Sequence, residues 1–332
     1  MASSSLTDWS SFPFSHLQGT RALVTGGAGF IGSHLTHTLV NRRAEVVVLD
    51  DLSGGGDPAA LPTAAKFVKG SILDQALVSK CTAGCQFVFH QAALGSVPRS
   101  VEQPRQYQDA NVNGTLNVLE AAREAKVQRV MFAASSSAYG SSEALPKVET
   151  MATEPLSPYA ANKVACEALM SAYAASYGLD TACLRYFNIF GPRQSPDNAY
   201  AAVIAAFAKA MVSGQHPVIF GDGEQSRDFT YVDNVVLANL LATRVEKPIG
   251  GAVINIACAT RITVNELARE MASLMGRPDL TPVYRPERAG DVKHSVANLS
   301  RAEAILNYRP IVPFRQGLAV TVKWYESVLK RQ

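Results

Sequence analysis

Residues 22–32 read Ala-Leu-Val-Thr-Gly-Gly-Ala-Gly-Phe-Ile-Gly, an apolar run that passes directly into a turn rich in glycine. Gly26, Gly29 and Gly32 recur at every third position, after a predicted strand and at the start of a predicted helix. In such a turn the first glycine permits the sharp reversal, the second lets the backbone approach a pyrophosphate, and the third lets helix and strand pack closely. The N–H groups that open the helix then face the phosphates. The stretch predicts a nucleotide-binding βαβ unit, although the same glycines would also fit an ordinary tight turn.

An acidic pair follows the next predicted strand. The predicted strand 45–49 is followed by Asp50 and Asp51, about 20 residues past the last glycine, where a carboxylate can accept hydrogen bonds from adenosine ribose hydroxyls. Both acids would repel a ribose 2′-phosphate, so NAD is favoured over NADP. Two solvated acids after a glycine-rich turn are the alternative, and the complete strand–turn–helix–strand order favours the dinucleotide site.

Short β-branched runs alternate with helical spacing along the first half of the chain, which predicts a mostly parallel sheet with helices on both faces. The predicted fold is α/β, a Rossmann-type doubly wound parallel sheet with a smaller mixed α/β C-terminal substrate domain. Predicted strands are 21–25, 45–49, 67–69, 87–90, 130–134 and 181–184, then 218–220, 253–256 and 282–284. Predicted helices are 29–41, 75–83, 107–125 and 159–177, then 199–213, 232–243, 264–275, 302–306 and 314–329.

The predicted boundaries give an N-terminal arm over residues 1–19, a cofactor domain over 20–186 and a substrate domain over 187–332. Segments that return to the first domain interleave the two. The arm has no clear periodicity, so we expect it to be flexible, with a short docked turn around residues 9–14.

The composition excludes several classes of protein. Hydrophobic residues make up 47% and charged residues 18% of the 332 residues, which excludes wholesale disorder. The net charge of +3 is too small to favour nucleic acid or an anionic membrane. The first twenty residues contain no Lys, no Arg and no apolar run, so no signal peptide is expected. No apolar stretch approaches the roughly 20 residues of a membrane helix.

Cysteine and histidine usage predicts no metal site. The five cysteines are odd in number, and their spacing is poor for zinc. We therefore expect reduced, buried thiols and a cytoplasmic protein. His34 and His37 lie three residues apart without acidic or cysteine partners, and His90 ends an apolar run as a core histidine would.

Tyr159 and Lys163 lie four residues apart on a helix predicted to begin near Pro158, so they share a face. An ammonium beside the tyrosine hydroxyl favours the phenolate and lowers the tyrosine pKa, which would make Tyr159 a base for a substrate hydroxyl. Alone, this spacing also fits the surface of an ordinary amphipathic helix. Ser135 strengthens the catalytic interpretation, because it ends a predicted strand where ligands of parallel sheets bind.

Further motifs extend along most of the chain. They are Thr-Gly-Gly-Ala-Gly-Phe-Ile-Gly (25–32), Leu-Asp-Asp-Leu (49–52), His-Gln-Ala-Ala (90–93), Asn-Val-Asn-Gly-Thr (111–115), Ser-Ser-Ser-Ala-Tyr-Gly (135–140), Ser-Pro-Tyr (157–159) with Lys163, Leu-Arg-Tyr-Phe-Asn (184–188), Arg-Asp-Phe (227–229) and Arg-Ala-Gly-Asp (288–291). Together they resemble the extended short-chain dehydrogenases/reductases, in the branch of nucleotide-sugar 4-epimerases. The resemblance covers nearly everything from Arg21 to the C-terminus.

The resemblance implies that Tyr159 is the catalytic base, that Lys163 lowers its pKa and that Ser135 assists at the sugar hydroxyl. The implied cofactor is NAD, with contacts from Gly26, Gly29, Phe30, Ile31, Gly32, Asp50, Asp51, Leu52, Ser53, Ser71, Ile72, Gln91, Ala92, Ala93, Asn111, Tyr159, Lys163 and Tyr186. The implied contacts to a UDP-sugar come from Ser96, Arg99, Ser135, Ser136, Ser137, Asn188, Ala202, Val203, Val218, Phe220, Arg227, Arg288, Asp291 and Ser295. Of these, Asn188, Arg227, Arg288 and Asp291 would hold the nucleoside diphosphate, and Val218 and Phe220 would flank the uracil.

One departure concerns the adenine. The family often has an aspartate after the third strand that accepts from the adenine amine, and Ser71 stands there instead. A serine hydroxyl can still accept, although it would hold the cofactor less firmly.

The type of reaction is indicated by acidic residues that this chain lacks. Related sugar dehydratases carry an Asp-Glu pair after the fifth strand, and a related decarboxylase group carries a glutamate at the second of those positions. This chain has Ser136 and Ser137 there, which leaves reversible oxidation at C4 as the simplest chemistry. Our hypothesis is that Tyr159 takes the C4 hydroxyl proton while hydride passes to NAD⁺. The 4-keto sugar then turns, and hydride returns to its other face.

The sugar is indicated by Ser295. UDP-galactose 4-epimerases can carry a bulky tyrosine four residues after the aspartate of the Arg-x-Gly-Asp motif, and the serine here leaves room for a 2-N-acetyl group. Residues 91–100 also resemble the bacterial UDP-N-acetylglucosamine 4-epimerases. The favoured substrates are therefore UDP-GlcNAc and UDP-GalNAc, or the corresponding uronic acids. A UDP-glucose/UDP-galactose 4-epimerase, an NAD-dependent sugar reductase and a non-catalytic nucleotide sensor are the alternatives.

The resemblance also implies a homodimer. Its interface would be a four-helix seam formed by helices 107–125 and 159–177. The apolar residues of these helices could equally belong to the core of one subunit.

Overall fold

The computed structural model describes residues 6–195, 203–287 and 293–330. Its strands are β1 Arg21–Thr25, β2 Glu45–Asp50, β3 Lys66–Lys69, β4 Phe87–His90, β5 Arg129–Ser135, β6 Thr181–Tyr186, β7 Ile189–Phe190, β8 Val218–Phe220, β9 Ser226–Arg227, β10 Thr230–Tyr231, β11 Ala252–Ile256, β12 Ile262–Thr263 and β13 Val283–Arg285. Its α-helices are α1 Phe30–Asn41, α2 Gln75–Thr82, α3 Val97–Glu102, α4 Pro104–Gln108, α5 Gly114–Glu124, α6 Pro158–Tyr177, α7 Val203–Val212, α8 Val232–Ala242, α9 Val264–Leu274, α10 Ser300–Leu306 and α11 Phe314–Leu329.

Seven strands form one parallel sheet in the order β11-β6-β5-β4-β1-β2-β3. The central strands are buried along almost their whole length, because helices cover both faces. α1, α8 and α10 pack on one face, and α2, α5 and α6 pack on the other. This architecture confirms the predicted doubly wound α/β sheet, whose carboxyl edge is where ligands of such sheets bind.

The later part of the chain contributes to two places. β11 is an edge strand of the large sheet and pairs with β6. Helices α7, α9 and α11 form a separate apolar cluster with the short strands around Phe190 and Tyr231. Small two-stranded pairings, β7 with β10, β8 with β13 and β9 with β12, lie between these parts.

The predicted helix 107–125 is interrupted. A π turn over Asp109–Asn113 separates α4 from α5. The carbonyl of Asn111 accepts from the hydroxyl of Thr115 at 2.5 Å and from the thiol of Cys166 at 3.2 Å. The backbone thus stays helical from Pro104 to Glu124, and helical periodicity predicted the helix but not its π turn.

The expectation of a flexible N-terminal arm is wrong for residues 6–19, although a docked turn does begin at Trp9. Phe14 and Leu17 are fully buried and belong to the core between the sheet and its covering helices. The guanidinium of Arg42 donates to two arm carbonyls at 3.1 and 3.0 Å. Two backbone N–H groups of the arm donate to the carboxylate of Asp233 at 3.0 and 3.1 Å.

All five cysteines are free, as expected, and four of them are buried. Burial raises the pKa of the Cys85 thiol to about 11, so it stays protonated at neutral pH. Within the described parts of the chain, no helix combines the length and the apolar character needed to cross a membrane.

Candidate active site

The glycine turn has the geometry that its sequence predicts. Gly26 has φ +66°, and a Cβ on it would lie 2.6 Å from the nitrogen of Ala92. A Cβ on Gly32 would overlap the carbonyl oxygen of Gly26 and lie 2.7 Å from the Cα of Gly27. A Cβ on Gly29 would lie 3.2 Å from its nearest neighbour. The fold itself therefore requires glycine at 26 and 32, whereas Gly29 leaves backbone open at the start of α1, where a phosphate would bind.

Asp50 ends β2 beside this turn. Its two carboxylate oxygens accept from the backbone N–H groups of Ala28 at 2.9 Å and Leu52 at 2.8 Å. A carboxylate has about four acceptor positions, so Asp50 keeps acceptors for ribose hydroxyls. The neighbouring carboxylate of Asp51 accepts from the backbone of Ser53 at 2.9 Å. The donors and acceptors at this edge fit a dinucleotide with a free ribose 2′-hydroxyl.

A cavity of about 940 Å³ runs from the glycine turn along the strand ends to the start of α6. It brings together most of the predicted cofactor and sugar residues. Those on its walls are Gly26, Gly29, Phe30, Ile31, Gly32, Asp50, Asp51, Ser53, Ser71, Ile72, Gln91, Ala92, Ala93, Ser135, Ser136, Ser137, Tyr159, Lys163, Tyr186, Asn188, Arg227 and Ser295.

Ser135 and Tyr159 meet where β5 and α6 both reach this cavity. The hydroxyl of Ser135 accepts from the backbone N–H of Ser137 at 3.2 Å and from its hydroxyl at 2.9 Å. Burial raises the pKa of Tyr159 above its ordinary value, and a hydrogen bond with Ser135 offsets part of that rise. Ser135 thus lies on the cavity wall together with the expected base.

The position of Lys163 corrects one expectation. Its Nζ donates to the carbonyl of Ala133 at 2.6 Å and lies 4.7 Å from the ring centroid of Phe132, but 5.9 Å from that of Tyr159. Burial lowers the pKa of Lys163 to about 8. The predicted lowering of the Tyr159 pKa is therefore not found in the protein alone, because the ammonium faces a backbone carbonyl and burial of the phenol dominates.

A second cavity of about 260 Å³ adjoins the first, and Asn188, Ile189 and Arg227 line both. Val203, Val218 and Phe220, all predicted substrate residues, lie on its walls. Two flanking apolar residues and a convergent guanidinium suit a flat base linked to a diphosphate.

Four predicted residues do not line either cavity: Leu52, Ser96, Arg99 and Asn111. Asn111 is 2% exposed, and its amide accepts from the Leu94 nitrogen at 2.8 Å and donates to the Leu94 carbonyl at 3.1 Å. It therefore holds the loop that forms the cavity wall. Ser96 caps α3 by accepting from the backbone of Arg99 at 3.4 Å.

The predicted substrate residues Ala202, Arg288 and Asp291 lie outside the described residues. The histidines behave as expected of structural groups. His90 is fully buried between the hydroxyls of Thr25 at 2.7 Å and Thr115 at 2.9 Å. In the described parts of the chain, no cluster of three or more potential metal ligands occurs.

Sequence reasoning missed several residues on the cavity walls. Leu94, Val97, Val101, Lys147, Leu156 and Gln194 line the main cavity, and Gln225 and Phe229 line the second. Leu94 and Val97 lie inside the recognised run 91–100, so their neighbourhood was a usable signal. Gln225 donates to the carbonyl of Phe220 at 2.7 Å, a contact that only the folded arrangement reveals.

Comparison with known proteins agrees with this geometry. The model of the NAD dependent epimerase/dehydratase family matches residues 22–257. The chain is 38% identical to a UDP-glucose 4-epimerase of Mycolicibacterium smegmatis over 92% of its length and 99% of that protein.

Two solved structures share the fold closely. A UDP-N-acetylglucosamine 4-epimerase from Methanobrevibacter ruminantium, in complex with UDP-N-acetylmuramic acid, is 38% identical with a TM-score of 0.89, over 93% of this chain and 99% of that one. A UDP-glucose 4-epimerase from Thermus thermophilus, in complex with NAD, is 35% identical with a TM-score of 0.84, over 93% and 100%. The cofactor is thus NAD. The chain belongs to the NAD dependent epimerase/dehydratase family, within its NAD-dependent UDP-sugar 4-epimerases.

Proposed function

We propose that this protein interconverts UDP-N-acetylglucosamine and UDP-N-acetylgalactosamine, or the corresponding uronic acids, at C4 of the sugar. The observation that carries the proposal is that Ser295, a small residue, lines the main cavity together with Ser135 and Tyr159. A small side chain there leaves volume for a 2-acetamido group. A relative of known structure with a TM-score of 0.89 binds UDP-N-acetylmuramic acid, whose sugar also carries an N-acetyl group.

NAD would lie along the carboxyl edge of the sheet, with its pyrophosphate at the start of α1 and its adenosine ribose at Asp50. When bound, it supplies reversible hydride transfer at the sugar C4. We propose that residues 20–186 and the returning strand β11 form the cofactor half, and that most of 187–332 forms the UDP-sugar half.

The proton of the reaction is assigned to Tyr159. Its Oη takes the proton of the C4 hydroxyl and returns it after the sugar has turned. Ser135, which lines the cavity with Tyr159, holds the same hydroxyl, and Lys163 supplies a positive charge at the buried end of the site. Ser136 and Ser137 offer no carboxylate for elimination or decarboxylation.

The nucleotide would be held at the other end of the site. Val218 and Phe220 flank the uracil in the second cavity, and Arg227, which lines both cavities, reaches the diphosphate. We assign Asn188, Arg288 and Asp291 to the same group. Fixing the diphosphate leaves the sugar free to present either face, which epimerisation at C4 requires.

We also propose a cytoplasmic homodimer joined through α5 and α6. On these helices Leu116 is 39% exposed and Tyr177 is 59% exposed, which suits an interface with apolar anchors. Sedimentation equilibrium tests the dimer, and a monomer at micromolar concentration would contradict it.

The substrate experiment is a panel of UDP-GlcNAc, UDP-GalNAc, UDP-glucose, UDP-galactose and UDP-glucuronate, each incubated with purified protein and no added NAD. We expect UDP-GlcNAc to yield UDP-GalNAc with the highest kcat/KM. A UDP-glucose/UDP-galactose 4-epimerase is the second candidate, because one relative at 38% identity has that activity in its name. Faster conversion of UDP-glucose than of the acetylated sugar would establish this alternative.

Ser295→Tyr tests the role of the small side chain. The phenol would occupy the space assigned to the acetamido group, so kcat/KM for UDP-GlcNAc should fall about 10-fold or more, while that for UDP-glucose changes little. Ser295→Ala is the matched control, because it keeps the space and should retain both activities. Equal losses on both sugars with Ser295→Tyr would remove the argument from cavity size.

A further inference from the structure

A buried ion pair lies one helical turn beyond Lys163 on α6. Glu167 accepts from Arg185 through both carboxylate oxygens, Nε to Oε1 at 2.7 Å and Nη2 to Oε2 at 2.6 Å. The two side chains are only 6% and 3% exposed. Because Tyr159, Lys163 and Glu167 are spaced four residues apart, they lie along one face of the helix. The pair therefore fixes the catalytic face of α6 to β6.

Arg185 also contacts the turn that follows Ser135. Its guanidinium carbon lies 4.6 Å from the ring centroid of Tyr139, the last residue of the helical turn Ser136–Tyr139. Tyr139 is 2% exposed, and its hydroxyl donates to Asn255 on β11 at 2.7 Å. One buried cation is thus in contact with an acid of the catalytic helix and with an aromatic ring of the serine turn.

Such a pair is not explained by stability alone. A buried carboxylate and guanidinium lose hydration that their attraction repays only when the geometry is good, and apolar side chains of similar size often serve the fold equally well. The pair also fixes the orientation of the Arg185 side chain, because two parallel hydrogen bonds hold the guanidinium plane relative to α6. The centre of the Tyr139 ring lies 4.6 Å from the carbon of that guanidinium.

We propose that Glu167 and Arg185 act together as positioning residues, holding Lys163 and the turn after Ser135 in the mutual geometry that proton transfer requires. Neither residue lines the cavities, so both act through their neighbours. The proposal needs only C4 epimerisation and stands whichever UDP-sugar is the substrate.

The charges around Lys163 give the proposal a pH signature. His90 on β4 is neutral near pH 7, since burial lowers its pKa to about 3. The thiol of Cys166 is also neutral, because burial raises its pKa. Burial lowers the pKa of Lys163, and Cys166 and Glu167, both on α6, oppose that lowering. Of these two, Glu167 is the one in an ion pair, with Arg185 on β6. The ring centroid of Tyr159 lies 5.9 Å from the Lys163 Nζ.

The first test is Glu167→Gln, measured on the sugar that the wild type converts fastest. We expect kcat to fall at least about 10-fold with KM within about twofold, since misplacement of catalytic groups acts on the chemical step. Loss of the carboxylate also removes one of the groups that oppose the lowering of the Lys163 pKa, so the kcat profile of the variant should shift toward lower pH relative to that of the wild type. An unchanged kcat and pH profile would overturn the proposal.

A double variant, Glu167→Met with Arg185→Met, separates positioning from folding. Replacing both charges leaves no unpaired ion, so the free energy of unfolding should stay near that of the wild type. We expect kcat to remain low nevertheless, because two flexible thioethers do not fix the serine turn. A folded double variant with wild-type kcat would overturn the proposal, even if Glu167→Gln alone failed to fold.

A matched control is available at the amino ends of β5 and β6. Arg129 and Asp180 form a second buried pair, Nε to Oδ2 at 2.5 Å, with side chains 7% and 12% exposed. Arg129 begins β5 and Asp180 precedes β6, far along the strands from the catalytic groups. Asp180→Asn should lower stability but leave the kcat of folded enzyme and its pH profile unchanged. If it altered both as Glu167→Gln does, a general effect of buried ion pairs would replace the proposal.

Discussion

Burial of Lys163 makes the charged form of this side chain unfavourable in the folded protein. The side chain is 3% exposed, and burial lowers its pKa from 10.5 to about 8. Since one pKa unit corresponds to about 1.4 kcal/mol, charging this lysine in the folded protein costs about 3 kcal/mol near neutral pH. The fold therefore gives up stability to keep a buried cation on the wall of the main cavity.

The sign of this cost gives a testable pH dependence. Below pH 8 the lysine is protonated in both folded and unfolded states, so the cost is complete. Between pH 8 and 10.5 the folded state releases its proton first, and the cost disappears. Lys163→Met should therefore be most favourable for stability, relative to wild type, near pH 7, and lose about 3 kcal/mol of that advantage by pH 10.5. Urea unfolding at both pH values measures it. Lys80→Met, at an exposed position, should show no such trend, and a flat difference for Lys163→Met would contradict the burial cost.

At the scale of an element, the turn between β1 and α1 separates folding from binding. Gly32→Ala puts a Cβ onto the Gly26 carbonyl oxygen, so we expect a loss of about 1–3 kcal/mol in the free energy of unfolding, as for overpacked cores. Gly29→Ala meets its nearest neighbour at 3.2 Å and should keep most of the stability while binding NAD more weakly. Thermal unfolding without ligand and calorimetric titration with NAD distinguish the two variants. The reverse order of effects would contradict the assigned roles.

The glycine turn and helix α6 show why part of the site could be predicted from sequence. The glycines of the turn and the spacing from Tyr159 to Lys163 are local patterns, and chain geometry alone fixes what they can form. The direction of the Lys163 ammonium was not predictable, because it depends on the Ala133 carbonyl of a neighbouring strand. The π turn around Asn111 was not predictable for the same reason, because the Asn111 carbonyl accepts from the thiol of Cys166 on α6.

At the scale of the whole molecule, alternation predicted a doubly wound parallel sheet, but it did not predict what the two ends of the chain pack against. β11 joins the sheet beside β6 after an intervening stretch of about 65 residues that includes most of the second cavity. The N-terminal arm lies outside residues 22–257, which the family model matches, so no motif described it. Its lack of periodicity predicted flexibility, whereas its buried aromatic residues Trp9 and Phe14 pack into the core.

Those aromatic residues make the arm part of the core, and this can be measured. Phe14 is 0% exposed and packs in the apolar cluster between the sheet and α1 and α8. Phe14→Ala should therefore lower the free energy of unfolding by about 3–5 kcal/mol, the cost of removing a buried aromatic ring. Because the arm contacts neither cavity, kcat of the folded variant should stay near that of the wild type. Leu6→Ala is the control, since Leu6 is 43% exposed and should change stability by less than about 0.5 kcal/mol. Similar small effects for both variants would mean that the arm is not part of the core. A large loss confined to Phe14→Ala would show that residues preceding β1 stabilise the face of the sheet covered by α8 and by α1, the helix that follows the glycine turn.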